Sequence, residues 1–190
     1  MKFRLSQDAR PQAMTLLIAA ALSIALWFIP FAEILSYPFR IFVTFIHEGG
    51  HAVAALLTGN SVQSLSVAMN ASGETYTTQG GLWSQMLVSS AGYLGSMTFG
   101  ALLLVLIRRA VAARIVLAGA ALLIAVLTTV FGLFKPMVSG SWGSLTGIPF
   151  TFFAGIALAV GLVAVARFAS ARVATFVLSM LAVQCVLNAL

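Results

Sequence analysis

The chain has 190 residues, 61% of them hydrophobic and only 7% charged, with a formal net charge of +6. A soluble domain of this length would carry roughly a quarter of its residues charged, so a water-facing surface all round is excluded, and a mean hydropathy of +1.08 points to lipid instead. At ~20 apolar residues per helical crossing there is room for about six crossings with short loops. This describes an integral, multi-pass protein of the bilayer, expected in the cell membrane.

The excess of Lys and Arg over Asp and Glu, ten against four, does not point to nucleic acid, and none is expected as a partner. The cations stand in short clusters between apolar runs: Lys2, Arg4 and Arg10, then Arg108, Arg109 and Arg114, then Arg167 and Arg172. Cations so placed hold helix ends against lipid headgroups. One cysteine, Cys185, excludes an intrachain disulfide and a Cys-based zinc site.

In chain order, a first apolar span covers 13–35, with Trp27 and Tyr37 as interfacial aromatics and Pro30 kinking or ending it. It is longer than a cleaved signal core and reads as an anchor helix. Glu33 falls near its end. A second helix covers 39–58, stopped at Thr58-Gly59-Asn60. Residues 61–79 alternate, turn at Asn70-Ala71-Ser72-Gly73, and read as a β-hairpin. Further spans follow at 83–107, at 115–134 (broken by Lys135-Pro136), at 150–166 after a Gly/Ser loop holding Trp142, and at 173–190. The expected fold is therefore an all-α polytopic membrane protein, one transmembrane domain of about six helices with a small hairpin after the second. The chain stops inside its last apolar run, which reads as a sequence continuing beyond Leu190. Charge leaves the orientation open: with every span crossing fully, the Arg108 cluster lies opposite the basic N-terminus, against the positive-inside tendency.

The second helix carries His47-Glu48-Gly49-Gly50-His51. Two histidines four apart project from one helix face, one turn apart, a spacing that lets both imidazoles bind one zinc ion. Glu48, beside the first, can take a proton from an attacking water and return one to the leaving amine. Gly49 and Gly50 are poor helix formers whose missing side chains leave room for a substrate backbone. These are the only two histidines in the chain. An ionisable group near the centre of a membrane helix costs ~2.5–3.5 kcal/mol or more and marks function by default.

With that motif in an early membrane helix, a hairpin after it, and Ser90-Ala91-Gly92-Tyr93-Leu94-Gly95-Ser96 opening the next span, the chain resembles the site-2 proteases. These are intramembrane zinc metallopeptidases, and the likeness is to their compact B-like branch, from about residue 40 onward. The resemblance implies His47 and His51 as zinc ligands, Glu48 as the catalytic acid/base, and a transmembrane protein as substrate. It also implies that the hairpin edge pairs with an unwound substrate segment. Family members take a third ligand from a later Asp downstream of an Asn. Here no Asp or Glu follows Glu74; Asn188 resembles that Asn, and the Asp is expected beyond Leu190. Glu33 and Glu74 are the in-chain alternatives. Tyr93 stands where other members have Pro. Gln184 and Asn188, one turn apart, are expected to bond between helices or approach the metal, and Gly92, Gly95 and Gly100 to serve packing.

Two other readings stay open: a non-catalytic relative that binds or regulates membrane partners, and a transport component passing metal or protons through the histidines. The second requires further ionisable groups in other helices.

Overall fold

The computed structural model describes residues 9–26, 28, 33–109, 111–140 and 147–188. The expectations placed on Lys2, Arg4, Trp27, Pro30 and Trp142 lie outside them. Six helices and one hairpin make up these residues: α1 (Ala9–Ala25), α2 (Glu33–Leu57), β1 (Val62–Val67), β2 (Gly73–Thr77), α3 (Leu82–Arg108), α4 (Ala113–Ser139), α5 (Gly147–Phe168) and α6 (Ala171–Leu187). Lipid offers backbone groups no partners, so apolar segments close their hydrogen bonds internally as helices.

The helices α3, α4 and α5 are long and apolar enough to cross a membrane, while Ala13–Ala25 and Ala171–Leu187 are shorter apolar helices. The chain is a multi-pass membrane protein. Helix α2 is 25 residues long, but Glu33, Arg40, His47, Glu48 and His51 lower its hydropathy. Its beginning differs from expectation: Glu33 opens α2 rather than closing the first span, and Pro38 sits inside the helix.

Helix α4 also differs, since Lys135-Pro136 does not end it. Leu127–Phe134 winds as a π-helix, and Pro136 falls in the first turn of the α-helical piece that resumes at Lys135. The proline ring's fixed φ is compatible with helical backbone there. The rod stops at Gly140, whose φ of 67° is a left-handed cap.

Helices α2 and α3 pack most extensively, α4 lies on α5, and α6 fills the space against α3 and α1. Phe42 meets Phe99 at 6.0 Å between ring centroids, and an ideal Cβ on Gly95 would stand 3.1 Å from Gly50 Cα. The α2–α3 crossing is therefore antiparallel and built on small residues. Arg114 donates to the Ala169 carbonyl at 2.7 Å, bringing the α3–α4 and α5–α6 connections, with their arginines, to one end of the bundle.

The hairpin folds back along α2. Tyr37 Oη donates to Met69 O at 2.6 Å, Arg40 to Asn70 O at 3.4 Å, and Thr44 Oγ1 to Ala71 O at 2.7 Å. Strands β1 and β2 pair antiparallel, Leu65 opposite Thr75 and Val67 opposite Gly73, with an irregularity between Val62 and Ser64. Ala68 N donates to Ser72 O at 2.8 Å and Thr78 N to Ser61 O at 2.9 Å. Antiparallel alternation then turns the peptide groups of Glu74 and Tyr76 toward β1, and those of Gly73, Thr75 and Thr77 toward the opposite edge. The far edge of β1 is met by protein: Thr151 Oγ1 accepts from Val67 N at 2.7 Å, and Ser139 Oγ donates to Gln63 O at 3.3 Å.

Candidate metal centre

His47 and His51 lie on the face of α2 that meets α3, their ring centroids 4.9 Å apart and the planes at 72°. His51 Nδ1 is 2.6 Å from the Val88 carbonyl oxygen. A carbonyl only accepts, so Nδ1 carries a proton, and it is Nε2 that is left to act as a metal ligand. Backbone anchoring of this kind fixes the tautomer of metal-binding histidines. Tyr93 stacks edge-on against His47, with centroids 4.7 Å apart at 90°.

The two Nε2 atoms converge on Gly92. A Cβ built there would fall against both of them, at bonding rather than packing range, and 2.6 Å from His47 Cδ2. The volume a side chain would occupy is thus the volume between the two nitrogens. Sequence reasoning assigned Gly92 to packing; its position also leaves the space against both Nε2 atoms clear.

Glu48 is 5% exposed. Its Oε2 accepts a hydrogen bond from Thr75 Oγ1 at 2.7 Å. Gly73 closes over the same carboxylate, because a Cβ there would lie 2.6 Å from Glu48 Oε1. Strand β2 therefore covers the glutamate, and its outward edge passes beside it. The space left by the missing side chains of Gly49 and Gly50 is taken by protein: a Cβ on Gly49 would meet Leu127 Cδ1 at 2.9 Å, and one on Gly50 would run into the Ala91 carbonyl, with Gly92 Cα at 3.4 Å. Gly49 lets Leu127 of α4 approach, and Gly50 brings α3 close enough to present Gly92.

A polar cavity of about 260 Å³ opens beside His47 and Glu48, lined also by Arg40, Thr44, Tyr93 and Asn188 among others. Asn188 thus faces the motif from the end of α6, whereas Gln184 is buried. Neither Glu33 nor Glu74 borders this cavity. Glu33 stands at the start of α2, 4.0 Å from Arg40, and Glu74 points outward, accepting from Tyr76 Oη at 3.0 Å. Among the described residues no group of three or more His, Cys, Asp or Glu is arranged to hold a metal ion. The donors present are of the kind zinc takes: two imidazole nitrogens converge on one cleared point.

A multi-pass membrane protein with an H-E-x-x-H turn opposed by a glycine falls in the class of metallopeptidase-like membrane proteins. The Peptidase M50B-like family, whose members are relatives of the site-2 proteases, matches residues 15–190, and the chain belongs to it. No curated protein and no solved structure matches the chain.

Proposed function

We propose that the chain is an intramembrane zinc metallopeptidase that hydrolyses a peptide bond of a membrane-embedded protein. The observation that carries this is the convergence of His47 Nε2 and His51 Nε2 on the space cleared by Gly92, with Glu48 on the same helical turn. His47 and His51 would hold the ion, and zinc bound there would supply Lewis-acid polarisation of the scissile carbonyl. Glu48 accepts the proton of the attacking water and delivers it to the leaving amine. Thr75 holds that carboxylate in place. The substrate, unwound from its helix, pairs with the outward edge at Gly73, Thr75 and Thr77, which brings a peptide bond past Glu48. Family membership supports the reading. In it, α1, α2 and α6 cross the bilayer together with α3, α4 and α5.

The lack of a third acidic or histidine ligand among the described residues favours the rival, a non-catalytic relative that binds or regulates membrane partners. Metal analysis and a cleavage assay separate the two. Purified protein is expected to hold stoichiometric zinc that His47→Ala removes, and a chelator should stop cleavage until zinc is restored. Glu48→Gln should keep the zinc and stop cleavage of a membrane substrate. Cleavage by Glu48→Gln at the parent rate would overturn the mechanism, and absence of zinc from the parent protein would favour the rival.

A further inference from the structure

Arg40 is a charge that the proposed chemistry does not use, and the role assigned to it rests on that peptidase reading. It lies seven residues before His47 on α2, two turns or about 10.5 Å along the axis. Its side chain, 45% exposed, borders the cavity shared with His47 and Glu48. Other partners hold it loosely: Glu33, itself 86% exposed, at 4.0 Å, and Asn70 O at 3.4 Å. An exposed pair at that separation contributes little, so the guanidinium keeps donors for a ligand.

The far end of β2 is different. A second polar cavity of about 190 Å³ is lined there by Asn60, Thr77, Gln79, Ser84 and Gln85 among others, and no charged side chain borders it. Gly73 borders the first cavity and Thr77 the second. The outward edge of β2 thus runs from a pocket that holds both Arg40 and Glu48 to one lined only by uncharged side chains.

We infer that Arg40 is a specificity-determining residue that selects an aspartate or glutamate of the substrate, while amides and hydroxyls read the other side. An extended chain advances about 3.3 Å per residue, so the offset of about 10.5 Å along the helix corresponds to about three residues from the scissile bond. Antiparallel pairing, the more stable kind, runs the substrate toward the hairpin turn and places the acidic residue on the leaving-amine side. Arginine suits the task because its planar fork accepts a carboxylate in bidentate fashion.

The test uses the full chain in nanodiscs of phosphatidylcholine, with and without anionic phosphatidylglycerol, and a peptide series with Asp, Asn or Lys moved through each position on both sides of the cut. Binding is measured by fluorescence anisotropy in Glu48→Gln, and cleavage in the parent. The Asp peptide with its charge about three residues to the leaving-amine side should bind and be cleaved about 10-fold better than Asn, a difference typical of one charge-assisted contact. Arg40→Gln should level the series and Arg40→Glu should favour Lys. A flat profile, a maximum elsewhere, or an Arg40→Glu effect confined to nanodiscs with anionic lipid overturns the inference, the last making Arg40 a headgroup anchor. Binding preference without hydrolysis in the parent sinks the peptidase reading alone; hydrolysis without preference sinks only this inference.

Discussion

Thr75 Oγ1 donates to Glu48 Oε2 at 2.7 Å, joining residues 27 apart in the chain and locking the hairpin to the motif helix. The bond orients a carboxylate that is otherwise enclosed by Gly73 and α2. A hydrogen bond to a charged group contributes about 1.5–3 kcal/mol. Thr75→Val is therefore expected to lower kcat about 10- to 100-fold with zinc content unchanged, and Thr75→Ser to restore most of it. Full activity in Thr75→Val would show that the bond has no part in aligning Glu48.

Two glycines on α3 should respond differently to the same added methyl. Gly92→Ala places a Cβ against both imidazole nitrogens, so zinc content should fall below about a tenth of the parent's, as loss of the ion's space demands. In Gly95→Ala the Cβ meets Gly50 Cα at 3.1 Å, which spreads α2 from α3. This variant should unfold more easily, by about 1–3 kcal/mol for an overpacked contact, while the protein that remains folded keeps its metal. Equal zinc loss in both would remove the distinction.

The turn of the hairpin is held by side chains of α2. Tyr37→Phe removes the bond to Met69 O and Thr44→Val the bond to Ala71 O. Each loss is expected to cost about 1 kcal/mol. Amide exchange in residues 68–72 should then rise about fivefold per substitution, read by mass spectrometry. Unchanged exchange would mean the turn is held by its own local bonds.

Thr151 is fully buried, and its hydroxyl serves both Val67 N at 2.7 Å and Val67 O at 3.2 Å. Thr151→Val keeps the shape but leaves a buried N–H without its partner, at a cost of about 1–3 kcal/mol. Denaturation in detergent should register the loss, and Thr151→Ser should recover much of it.

Much of this arrangement is legible in the residues themselves. Composition and apolar length give the helices, alternation gives the hairpin, and the four-residue spacing puts both imidazoles on one side of α2. What escapes is whatever depends on the direction in which one element folds back on another. Nothing about Thr75 marks it as a partner of Glu48 until the hairpin is seen to run back along α2. Gly49 and Gly50 read as space for a substrate because the approach of Leu127 and Ala91 is a tertiary fact. No residue type announces a π-helical turn, so Lys135-Pro136 reads as a break that the structure passes through.

Tyr37, Arg40, Thr44 and Glu48 follow one another at three- and four-residue steps on one side of α2, and each bonds to the hairpin. The strand is thus clamped to Glu48 in a single phase, and in the proposed reading it would serve as a ruler laid beside the blade. Edge pairing repeats every second residue, and a one-residue slip would turn every side chain to the wrong face. If the chain is the peptidase proposed above, its minor products should therefore differ from the main one by two residues rather than one.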